Sequence, residues 1–225
     1  MEKKLKLLRN NIDEIDQKIL SLITKRLEIA EKIGIAKQEH SQIYRPLREA
    51  EIIKKLEKTS PKFAKRFIFP IWRILMSANI YLQKPSFKIL ATKNSFEDAN
   101  IFSNNIFKVE SKSSAKESMN LLLEDKADLL IISYNEINEI YSLLGEHNQV
   151  FISGSYPIIR SEKQDIKNLI IIKGTLEPKE NEVNIFKDIV NNKIIRKNLV
   201  KIDCSLVNEE KNIKFLGSVT LFNNN

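Results

Sequence analysis

The chain has 225 residues, 42% of them hydrophobic, and a formal net charge of +8, which is material for one large or two small cores. Its single cysteine, Cys204, excludes an internal disulfide or a cysteine-based zinc site, and only two histidines, His40 and His147, argue against histidine-dependent metal or triad chemistry. No apolar run reaches the ~18 residues of a membrane helix, and no apolar signal-peptide stretch follows the lysine-rich start, so a reducing, cytoplasmic setting is expected.

The charge is uneven. Residues 1–85 hold 19 Lys and Arg against 10 Asp and Glu, and residues 86–225 hold 18 against 19. An excess confined to one part points to nucleic acid, an acidic membrane surface or a small polyanion. Here the cations alternate with Glu and apolar residues rather than with aromatics or Gly, which favours the small anion over nucleic acid or membrane.

Residues 5–38 contain no Pro and one Gly, and Leu5, Leu8, Ile12, Ile15, Ile19, Leu22, Ile23, Ile29, Ile33 and Ala36 recur at three- and four-residue steps. That spacing predicts a helix of roughly 50 Å, long enough to need an equally long partner. Arg26 and Lys37 are eleven residues apart, about 20° of helical phase and roughly 16 Å of rise, so they could close on one small anion. Arg9 lies about 25 Å before Arg26 and about 100° round, so it could serve only an equivalent site on a second, antiparallel copy. The same spacing also fits solvated charges on a basic helix.

A turn ends at Tyr44-Arg45-Pro46, with Pro46 suited to a helix's first position, and residues 47–58 read as a short helix carrying Arg48 and Glu49 near its start. A third helical stretch covers 62–84, with Pro70 either kinking it or marking its true start. Trp72, Met76, Asn79 and Gln83 stack on one stripe, where the two amides are either a wet edge or uncharged donors to a ligand.

From Pro85 the pattern changes. Apolar runs at 87–91, 106–109, 127–133, 149–153, 168–173, 198–203 and 213–222 alternate with helical stretches near 95–103, 113–126, 135–145 and 182–194, an α/β arrangement. Residues 168–221 read as a possible β-α-β-β module with a regulatory role, and Cys204 as a small buried hydrophobe.

LRNNIDEIDQKIL, KR followed by G-x-A-K, YRPLREAEII and WRILMSANIYLQ together resemble the all-helical chorismate mutases over residues 5–84. The resemblance implies an α + α/β fold: a three-helix mutase domain at 1–84, interlocked with a second copy as a homodimer, followed by an α/β domain at 85–225. It also implies rearrangement of chorismate to prephenate in aromatic amino acid biosynthesis, with no metal and no cofactor. Position by position, Arg26 and the partner copy's Arg9 would hold the two carboxylates, and Lys37 and Gln83 would donate to the ether oxygen. Glu49 would take the ring hydroxyl and Asn79 would sit beside a carboxylate. Ile52 and Ile53 stand where some members carry an arginine and a glutamate.

Residues 91–134 look like a worn copy of the first lobe of prephenate dehydratase, as in fusion enzymes that join the two activities. The Gly-rich start has become Ala91-Thr92-Lys93-Asn94-Ser95 and no Thr-Arg-Phe triplet occurs, so dehydratase activity is expected to be absent. The alternatives are an isochorismate pyruvate-lyase of the same fold, a bifunctional mutase/dehydratase, and a basic helical dimer without catalysis.

Overall fold

The computed structural model describes residues 2–36, 43–145, 148–161, 163–174, 182–188, 191, 193–198 and 213–222. Lys37, both histidines and Cys204 lie outside them, and with them the expectations placed on Lys37 and Cys204.

The apolar period of the first segment forms α1 (Glu2–Ala36), and α2 (Pro46–Thr59) begins on the proline whose missing N–H costs nothing at a helix start. α3 (Lys65–Gln83) runs through Pro70 rather than starting at it. The ring sits on an exposed position, where solvent can serve the carbonyl left without its helical donor. α1 packs along α3, and α2 closes on α3 around Ala50, Ile53, Ile68 and Met76.

The rest of the described chain builds one mixed sheet of eight strands, in the order β2-β1-β3-β5-β4-β8-β6-β7. Strands β1 (Ile89–Thr92), β2 (Val109–Lys112) and β3 (Leu129–Ser133) are parallel, joined by α4 (Phe96–Ser103) and α5 (Ala115–Leu123). After the short α6 (Ile137–Ile140), β4 (Val150–Tyr156) and β5 (Asn168–Lys173) form an antiparallel pair that adds to β3 through β5. Beyond β4 lies an antiparallel ribbon of β6 (Glu182–Asp188), β7 (Lys193–Asn198) and β8 (Ile213–Thr220). The ribbon meets β4 at a single register pair, Ile152 beside Gly217. A Cβ on Gly217 would stand 2.1 Å from the Ile152 carbonyl oxygen, and φ is +142°, so this seam admits only glycine.

The expected helix at 182–194 is therefore a correction: residues 182–188 are β6 and 193–194 begin β7, and the described residues of 168–221 form not a β-α-β-β module but four strands of the common sheet. Two features hid the strand. β6 is buried on both faces, and a register shift between Ile185 and Phe186 breaks the alternation that a half-exposed strand shows.

Alternate residues of the strands feed two cores. Leu90, Leu130, Ile132 and Ile171 face α5 and α6, while Ile89, Ile131, Ile170 and Ile172 face α4. That second face is also covered by Tyr44 and Ile80, so the helical region and the sheet share a core. Lys84 Nζ to Asp128 Oδ1 at 2.5 Å and Arg160 Nη2 to Glu57 Oε1 at 3.0 Å tie the two regions at opposite ends.

Candidate active site

A cleft of about 550 Å³ opens between the three helices, a size in the ordinary range for a small-molecule site. Arg26 reaches it from α1, Glu49 from the first turn of α2, and Asn79 and Gln83 from the last turns of α3, with Ile172 of β5 closing one side.

Arg26 is held in place. Its Nη1 donates to Leu75 O at 3.1 Å and to Asn79 Oδ1 at 3.0 Å. Asn79 thus orients the guanidinium, a role the stripe of amides alone did not specify. Partial burial pushes the Arg26 pKa down and the Glu49 charge pushes it back up. Gln83 Nε2 donates to Asn79 O at 3.1 Å, one helical turn back. Gly34 faces this residue from α1, and a Cβ there would fall 2.8 Å from Gln83 Cγ. The glycine of the G-x-A-K stretch is what lets α1 approach α3 closely enough to shape the cleft around Gln83.

Glu49 accepts from Arg73 Nη1 in an ion pair whose side chains are 17% and 6% exposed. Burial raises the Glu49 pKa, and Arg73 and then Arg26 oppose it. Burial also raises the Tyr44 hydroxyl far above its ordinary value, beside the same pair.

The structure brings together four of the six expected residues: Arg26, Glu49, Asn79 and Gln83. Lys37, one residue beyond the end of α1, is outside the described residues. Arg9 is exposed near the other end of α1 and does not line this cleft. Sequence reasoning missed Arg45 and Arg48, which add positive charge to the rim, and Arg73 behind Glu49. The one available signal for Arg73 was a charge on an otherwise apolar helix face, which demands a buried counter-charge.

In the α/β region, the turn after β1 is satisfied internally. Glu136 accepts from Thr92 Oγ1 at 2.6 Å, Asn94 Nδ2 at 2.9 Å and Ser133 N at 2.8 Å, so a carboxylate of the chain's own sits at the carboxyl ends of β1 and β3. Among the described residues no group of His, Cys, Asp and Glu could hold a metal ion, and no helix is long and apolar enough to cross a membrane.

Residues 8–84 match the family model of chorismate mutase type II. The bifunctional chorismate mutase/prephenate dehydratase of Aquifex aeolicus (strain VF5) is 35% identical over 86 residues, covering 36% of this chain and 24% of that protein. The chain thus spans about a quarter of the length of the curated relative it matches. No solved structure matches the chain. The three helices that form the cleft lie within or at the edges of the matched span, and residues 8–84 are a chorismate mutase type II domain.

Proposed function

We propose that the chain is a chorismate mutase, catalysing the Claisen rearrangement of chorismate to prephenate. The observation that carries the reading is the convergence of Arg26, Glu49, Asn79 and Gln83 from three helices on one cleft inside the matched domain. The reaction is pericyclic and needs no nucleophile or proton transfer. Arg26, held by Asn79 and Leu75, receives one substrate carboxylate, and Arg9 of the partner subunit receives the other. Gln83 and Lys37 donate to the ether oxygen as negative charge grows there in the transition state. Glu49 accepts from the ring hydroxyl, and the walls of the cleft hold the folded conformer.

The partner is a second copy of the chain. Leu5, Leu8, Ile12, Ile15 and Ile19 on α1 are between 47% and 57% exposed, a stripe that a second, antiparallel α1 would cover while bringing its Arg9 to the cleft. The α/β region has no dehydratase chemistry in this reading, since the Thr-Arg-Phe triplet is missing and Glu136 fills the turn after β1.

The test is the loss of chorismate absorbance on adding the purified full chain, with the product assayed for phenylpyruvate before and after acid. Chorismate loss with phenylpyruvate appearing only after acid is expected. Phenylpyruvate before acid would restore the bifunctional reading, and no chorismate loss would sink the mutase.

A further inference from the structure

Glu49 lines two spaces. One is the cleft, and the other is a cavity of about 50 Å³ on the far side, between α2, α3 and the sheet. Arg73 lines only the second, so it reaches the cleft solely through Glu49. Its guanidinium is fixed at several points. Nη1 pairs with Glu49 Oε2, while Nε and Nη2 both donate to Ser77 Oγ, at 3.3 and 3.1 Å. The Tyr44 ring, before α2, stands 5.9 Å from Arg73 Cζ, and the α/β region adds further contacts. The Phe102 ring of α4 lies 4.6 Å from Arg73 Cζ, Tyr156 of β4 packs edge-on to Phe102, and Asn104 Nδ2 reaches Ser77 Oγ at 3.5 Å.

We propose that Arg73 is the positioning residue for Glu49, and that the α/β region, through Phe102, keeps it in place; the sheet is then a working part of the mutase site. The inference rests on the mutase reading of the cleft. A buried arginine 5% exposed must keep its counter-charge, so Arg73 commits Glu49 Oε2. Among the described residues Oε1 has no hydrogen-bond partner and is left to accept from the substrate hydroxyl. Among the described residues, the charged and titratable groups around Glu49 are Arg26 on α1, Arg45, Arg48 and Glu51 at the start of α2, Tyr44 before it, Arg73 on α3 and Tyr156 on β4. Of these, Arg73 is the cation in direct contact.

The experiment compares full-length wild type, Arg73→Gln, Glu49→Gln, their double variant, Arg73→Lys and Phe102→Leu, each checked for folding by circular dichroism. Two readouts are taken: steady-state kinetics with chorismate across pH, and titration of the Glu49 carboxyl by NMR in carbon-13-labelled protein without substrate. Each single Gln variant is expected to lower kcat/KM about 30-fold, and the double variant no further than about twofold beyond either, because the two residues act as one unit. Arg73→Lys is expected to recover part of the loss. The acid limb of kcat/KM and the Glu49 midpoint should both move up by about one pH unit in Arg73→Gln, and by less in Phe102→Leu. Multiplicative losses with an unmoved limb, or an unmoved Glu49 midpoint, would overturn the proposal. Wild type without turnover would sink the mutase reading alone, since the carboxyl titration still decides whether Arg73 governs Glu49.

Discussion

The two regions of the molecule satisfy their apolar residues in opposite ways. In the sheet, Leu90, Leu130, Ile131, Ile152 and Ile171 are completely buried within the chain. In the long helix only Ala30 is buried, while Ile12 is 57% and Leu22 65% exposed. A region whose strands are buried within one chain needs no second chain to cover them, whereas in the proposed dimer a 35-residue helix with its apolar stripe uncovered is half of an interface. In that proposed dimer the difference separates two kinds of stability, one independent of protein concentration and one that depends on it.

The largest effect expected is from breaking the helical half. If the proposed dimer forms, replacing Ile12 and Ile19 together by Asp should abolish self-association in sedimentation equilibrium and reduce chorismate turnover to background, because the cleft would lose the Arg9 proposed to come from the second subunit. An unchanged mass with full activity would break the comparison outright. Next comes Gln83→Ala, which should cut kcat by about 10²-fold to 10³-fold with the dichroism spectrum intact, the usual consequence of removing a donor from a developing oxyanion.

A mutation in the other half should behave differently. Met119→Ala, in the core between α5 and the sheet, should cost about 2–5 kcal/mol of stability. Its lowered melting transition should not move with protein concentration, and turnover below that transition should stay near wild type. The smallest effect is expected from Gly34→Ala. Crowding of Gln83 Cγ and a gain in helix propensity of about 1 kcal/mol oppose each other, so the melt should barely shift while kcat falls several-fold.

The helical half was largely legible in the sequence because each of its helices carries a 3.6-residue period and a punctuating Pro or turn. Arg26, Glu49, Asn79 and Gln83 could be named because they lie in short local stretches. Arg73 could not, because its meaning depends on Glu49, 24 residues away, and on Phe102 from another region. The hairpin at 182–198 was misread for a related reason. Asn184 and Lys187 look like the polar face of a helix, yet Asn184 accepts from Ser218 Oγ at 2.8 Å and Lys187 Nζ lies 4.3 Å from the centre of the Tyr141 ring, both buried. Polar residues satisfied by distant partners erase the alternation that marks a strand.

The glycine seam between β4 and β8 bears on how the chain reaches this fold. Ile152 and Gly217 are about 65 residues apart, so their pairing must close a long loop before it gains anything. The β6–β7 hairpin forms from near neighbours and can assemble early. A ribbon that docks after its hairpin has formed is expected to leave one edge of β4 open until it arrives. During that interval β4, paired with β5 on its other side, would present one unpaired edge, the moment at which the chain would be most exposed to aggregation. A side chain at position 217 would keep the seam from closing as built, so its expected first symptom is a lower yield of soluble protein on refolding.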